Sequence, residues 1–159
     1  MENIYEQNFD VKKISAENKK KYMKHSLTTF PPAASIILHI ITMGIFTMIY
    51  YGLKHGQLPK IKDDDFGAGK AIGFLFIPFF NFYWIFRFWI GLIDRVNLQL
   101  KLRNMEVVPR GLAITIPILV VTSIIPFIGY LTTIANYFIV TPITLALLQS
   151  SINKLAGGK

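Results

Sequence analysis

Polar and apolar positions along this chain fall into long blocks instead of interleaving. Residues 1–29 are polar, with Lys12, Lys13, Lys19, Lys20, Lys21 and Lys24 set among Glu2, Glu6, Asp10 and Glu17. The next block, FPPAASIILHIITMGIFTMIYYGL, occupies residues 30–53 without a formal charge. A bilayer core needs about 20 apolar residues at 1.5 Å each, so the block predicts a first membrane span over 33–53. Pro31 and Pro32 suit its first turn, and Tyr50 and Tyr51 suit an interfacial belt at its far end. After the loop KHGQLPKIKDDDFGAGK, a second block predicts a span over 71–93, kinked where Pro78 and Asn81 interrupt it.

The following segment, DRVNLQLKLRNMEVVPR, carries two periods. Val96, Leu98, Leu100 and Leu102 alternate as in a strand, while Arg95, Gln99 and Arg103 recur at helical spacing. A lone strand beside a membrane would leave backbone groups unpaired, so a continuing amphipathic helix at the interface is expected. From Gly111 to Asn153 no residue is charged. That length predicts two further spans, 111–127 and 130–149, broken at IPFIGY by Pro126 and Gly129, each carrying a proline, Pro117 or Pro142. A re-entrant hairpin that never crosses is the alternative. The expected fold is thus an all-α integral membrane bundle of about four spans over 30–153, with a polar tail at 1–29 and a short one at 154–159.

Composition agrees with lipid. Of 159 residues, 52% are hydrophobic and 16% charged, against about 25% charged in a soluble domain. Cysteine is absent, which excludes disulfide and thiolate chemistry. No short apolar run follows directly on a basic start, so the N-terminus is expected to be retained. A net charge of +8 would draw a soluble protein to nucleic acid. Here the lysines flank apolar runs, so nucleic acid is not expected and the charge reads as orientation. The four-span topology places twelve lysines and arginines on one side and four, Lys54, Lys60, Lys62 and Lys70, on the other. The positive-inside rule then puts both termini in the cytoplasm of a bacterial inner membrane. Lys19, Lys20, Lys21, Lys24, Arg95 and Arg103 are the expected contacts for anionic headgroups, with a solvated tail as the alternative reading of the lysines.

Arg87 stands alone among Phe74 to Trp89, ten of whose residues are aromatic. About 10 Å inside the expected boundary, it either snorkels toward headgroups or serves a pore or ligand site. His39 is the one histidine within a span and is either a proton-relay or ligand group, or a neutral hydrogen-bonding partner between helices. Asn81, Asn136 and Gln149 are polar groups suited to joining helices, and Asn136 also to lining a midplane site. Asp63, Asp64 and Asp65 form a weak candidate for a hard cation, with helix capping by Asp65 as the alternative. FGAGKA is no phosphate loop, because Asp64 and Ala71 stand where that motif needs Gly and Ser or Thr. No catalytic grouping is recognisable and no cofactor is expected.

The piece HIITMGIFTMIYYGLKHG, with Thr42, Gly44, Phe46 and Tyr50, followed by IPFFNFYWIFRF, resembles the small bacterial polytopic membrane proteins grouped as domain of unknown function 4234. The resemblance covers roughly residues 35–105, with Phe46 where tyrosine is commoner. It implies a multi-pass membrane protein and brings no catalytic residues. The expected function is a non-enzymatic membrane subunit that binds lipid or a membrane protein partner. The alternatives are a homo-oligomeric pore or small transporter, and a lipid-acting enzyme using His39 or the aspartates.

Overall fold

The computed structural model describes residues 14–157; Lys12, Lys13 and Lys159 lie outside the described residues. The described residues form seven helices and no strand: α1 Ala16–Tyr22, α2 Pro32–Ile41, α3 Ile45–Gln57, α4 Ala68–Gly73, α5 Phe80–Leu102, α6 Arg110–Thr122 and α7 Ile128–Gly157. A 3-10 turn, Phe74–Phe76, prolongs α4. Among the described residues only α7 is long and apolar enough to cross a bilayer.

The first apolar block is two helices, which corrects the single span expected over 33–53. Met43 (φ 51°) and Gly44 (φ 86°) both adopt left-handed backbone. The Gly44 N–H donates to His39 O at 2.8 Å and the Met43 N–H to Ile40 O at 3.3 Å, the paired bonds that close a helix end. Thr42 Oγ1 accepts the Phe46 N–H at 2.9 Å and so caps α3. The chain then doubles back. Phe30 meets Phe46 and Tyr50 at ring separations of 5.7 and 5.0 Å, and the Ser26 N–H donates to Gln57 O at 3.0 Å. Arms of 10 and 13 residues are about 15 and 20 Å long, short of a bilayer core of about 30 Å. Counting apolar residues misses this because a reversal of direction needs only two left-handed residues.

The second block breaks in the same way. Pro78 offers no amide donor and Phe79 is left-handed (φ 60°), so the expected kink over 71–93 is a full reversal between α4 and α5. Trp84 Nε1 donates to Ala71 O at 3.2 Å across it, and Phe74 packs on Trp84 at 4.7 Å. α4 also lies antiparallel on α3. A Cβ on Gly52 would sit 2.4 Å from Ile72 Cγ1 and one on Gly56 3.2 Å from the Ala68 Cβ, so glycines four residues apart permit the close approach.

α5 continues unbroken to Leu102, but not as an interfacial helix: residues 92–100 are all buried. Leu92, Ile93, Val96 and Leu100 belong to the main core together with Leu145, Leu148 and Ile152 of α7. Leu98 and Leu102 form a second cluster with Tyr22 of α1 and Ile61. The physical reason is coverage by α1, α6 and the 58–67 loop, which converts both faces of the helix into interior.

α6 and α7 make the third hairpin, turning at Phe127 (φ 63°), with the Gly129 N–H on Ile125 O at 2.6 Å. A Cβ at Gly129 would fall 2.1 Å from Ser123 O, so only glycine fits. Within α7 a π turn spans Asn136–Val140 just before Pro142, whose ring and missing amide push the preceding carbonyls out of α register. α7 runs back antiparallel to α2, with Tyr137 beside His39 and Asn153 beside Phe30.

All three turns face one end. His39, beside the first, shares a cavity with Leu119, Val120 and Ser123 at the close of α6, and α4 follows α3 in reverse, so its 3-10 turn points the same way. The turn residues Met43, Phe79 and Phe127 are 83, 86 and 93% exposed. The charged residues gather toward the opposite end, where Lys54, Asp64, Asp94 and Arg110 lie.

Candidate functional site

Two places collect the residues singled out by the sequence. At the first hairpin turn, His39 Nε2 faces Tyr137 O at 3.2 Å and Nδ1 faces Thr47 Oγ1 at 2.9 Å. A carbonyl only accepts, so Nε2 carries the hydrogen and, in the neutral ring, Nδ1 accepts from Thr47. The Tyr137 hydroxyl returns a bond to Ile40 O at 2.7 Å. His39 thus links α2, α3 and the π turn of α7. Beside it lies a cavity of about 160 Å³ lined by Ser123, Thr133, Asn136 and Thr141. Asn136 Oδ1 accepts from Thr141 Oγ1 at 3.1 Å. Two of the separate candidates, His39 and Asn136, line this one cavity; Asn81 does not, and sits at the second hairpin turn with its Oδ1 buried and accepting no hydrogen bond.

The second place is a cleft between α5 and the 58–67 loop. Tyr83, Phe86, Arg87, Ile90, Gly91 and Asp94 recur every three or four residues and therefore share one face of α5. Arg87 does not snorkel to an outside boundary: its Nη2 lies 2.7 Å from Asp64 Oδ2 and donates to Asp64 O at 3.2 Å. The hydrogen bond from Arg87 holds the Asp64 carboxyl below its ordinary value. This contact also moves the loop. The four-span topology put residues 54–70 on the far side from the N-terminal tail, yet Lys54 Nζ reaches Thr28 Oγ1 at 3.2 Å, so loop and tail share an end.

The three aspartates do not converge. Asp65 Oδ2 accepts the Ile61 and Lys62 N–H groups at 2.7 and 2.9 Å, Asp64 pairs with Arg87, and Asp63 is exposed. Asp65 caps the loop backbone, not the helix α4. Among the described residues no group of three histidine or acidic side chains is placed to hold a metal ion.

Of the expected headgroup contacts, Lys19, Lys20, Lys21 and Lys24 are exposed on and just after α1. Arg103 is turned inward, donating to Gln99 Oε1 at 2.7 Å and Met23 O at 3.0 Å. Arg95 contradicts its assignment: it is 0% exposed. Its guanidinium donates to the carbonyls of Gly91 (3.2 Å), His55 (3.1 Å) and Phe66 (3.3 Å), and to His55 Nδ1. Oriented carbonyls meet the cost of burying the charge, and Arg95 ties α3, α5 and the loop together.

Sequence reasoning missed Asn153 and the Asp94–Arg110 pair. Asn153 Nδ2 donates to Phe30 O at 2.8 Å while its Oδ1 accepts the Phe30 N–H at 2.9 Å. Gln149 links Asn153 to Tyr51, at 2.9 and 3.2 Å. Asp94, almost fully buried, accepts from Arg110 Nε and Nη2 at 2.8 and 3.1 Å. The only signal was polarity within an apolar run, which Gln149 and Asn153 share. No family model, curated protein or solved structure matches the chain.

Proposed function

We propose that this is a non-enzymatic bacterial inner-membrane protein that binds lipid by inserting three helical hairpins from one side. The observation that supports this is the exposure of large apolar side chains at all three hairpin turns, with charged groups gathered at the opposite end. The first hairpin, with arms of about 15 and 20 Å, and the second, whose shorter arm of α4 and its 3-10 turn is about 15 Å long, reach roughly half the hydrocarbon depth. The third goes deeper. Tyr137 sits level with His39, one turn short of the first tip, so Ile128 lies about 13 Å beyond His39 and past that tip. In this arrangement every described lysine and arginine falls on one side. That removes the four exceptions of the four-span topology and places both ends of the described chain in the cytoplasm. Exposed Lys19, Lys20, Lys21 and Lys24 then face anionic headgroups.

Single cysteines introduced at Met43, Phe79 and Phe127 in this cysteine-free chain, spin-labelled and reconstituted, test the reading. All three labels are expected to be accessible to dissolved oxygen and shielded from an aqueous nickel reagent, with Phe127 deepest. Aqueous accessibility at Met43 and Phe79 overturns it. The polar cavity beside His39 and the π turn favours a second reading, a small transporter or self-assembled pore, which flux across reconstituted vesicles would support.

A further inference from the structure

From the α5–loop cleft we infer that the protein holds one phosphoethanolamine headgroup there, a deepening that rests on the lipid-binding reading above. The cleft encloses about 130 Å³, several times what one water needs. Gly91 makes its floor, where a side chain would instead occupy the space; the nearest atoms of Phe66 and His55 lie 3.8 Å from where its Cβ would be. At one end stands Arg87. Both of its bonds use Nη2, so Nε and Nη1 are donors without a protein acceptor, in the planar geometry that suits phosphate oxygens.

At the other end stands Asp94, two helical turns away and about 10 Å along the axis. Its two oxygens each accept one bond from Arg110, leaving lone pairs for an ammonium. That separation suits a phosphate and a primary ammonium joined by two carbons, with a hydrogen bond at each end. Tyr83 and Phe86 line the cleft on the Arg87 side, and Ile90 lies between the two charged ends. The charges are close to balanced, Lys62 and Arg87 against Asp65 and Asp94, which suits a zwitterion better than a free anion. Below the cleft the same hairpin continues into exposed Tyr83, Phe80, Phe79 and Phe76, an apolar track for acyl chains. The occupant is therefore a phospholipid and not a soluble amine phosphate.

The test is native mass spectrometry of the full chain released from nanodiscs that contain equal phosphatidylethanolamine, phosphatidylglycerol and phosphatidylcholine. The wild type is expected to retain one phosphatidylethanolamine in preference to the other two. Arg87→Gln is expected to lower that preference about fivefold or more, and Arg87→Lys to restore part of it. A wild type without preference, a preference for phosphatidylcholine, or a preference that survives Arg87→Gln overturns the assignment. A spin label at Phe79 in the same discs separates the two levels. If it stays at lipid depth while the preference is absent, only the headgroup site fails; if it is exposed to water, the hairpin reading fails.

Discussion

At the scale of single residues, the structure turns on groups that close gaps in the backbone. Asn153 is one: it satisfies both the donor and the acceptor of Phe30. Asn153→Leu strands both groups and is expected to cost about 1–3 kcal/mol, read as a lower midpoint of thermal unfolding in detergent. Arg87 and Asp64 form an exposed pair of smaller consequence, about 1 kcal/mol or less. The Asp64 carboxyl is depressed in the folded chain, so the pair's contribution is complete above the ordinary carboxyl value of 3.8 and is lost as pH falls through the lower folded value. The stability difference between wild type and Arg87→Gln is therefore expected at pH 7 and at low salt, and to shrink below pH 3.8 and in high salt. A difference that grows on acidification would contradict the pairing. Arg95 shows what one sequence conceals. Its neighbours in the chain make it look like a surface charge, and only the carbonyls of His55 and Phe66, 40 and 29 residues away, explain its burial.

At the scale of elements, the apolar blocks were legible and their directions were not. The run of residues 30–53 is apolar throughout, and length alone cannot tell one crossing from two arms of a hairpin. The information lies in backbone conformation at Met43 and Gly44, of which glycine is the only visible sign. The second break had a stronger mark in Pro78, and the third in Pro126 and Gly129. Gly129→Ala is expected to destabilise by about 2 kcal/mol or more, because the new Cβ meets the Ser123 carbonyl at 2.1 Å. Gly111→Ala, with nothing within 4 Å, is the matched control and is expected to be neutral or slightly stabilising. Equal unfolding midpoints for the two variants would argue against the tight third turn. The strand-like alternation of Val96 to Leu102 belongs to a helix, as the spacing of Arg95, Gln99 and Arg103 predicts, but that helix is not interfacial, since α1, α6, α7 and the loop bury both of its faces.

At the scale of the molecule, an apolar end with three aromatic or aliphatic tips opposes an end rich in charge. Such polarity along one axis suits insertion from one face of a bilayer, and it differs from four crossings in one checkable respect: the side on which the 54–70 loop emerges. Asp63 and Asn104 are both exposed, and both lie toward the charged end. The most direct measurement places single cysteines at these two positions and challenges them with an impermeant thiol reagent, first in intact cells and then in inverted membrane vesicles. Insertion from one side requires both to be silent in cells and both to react in the inverted vesicles. Labelling of Asp63→Cys in intact cells while Asn104→Cys remains protected would contradict it and restore a chain that crosses the membrane between them.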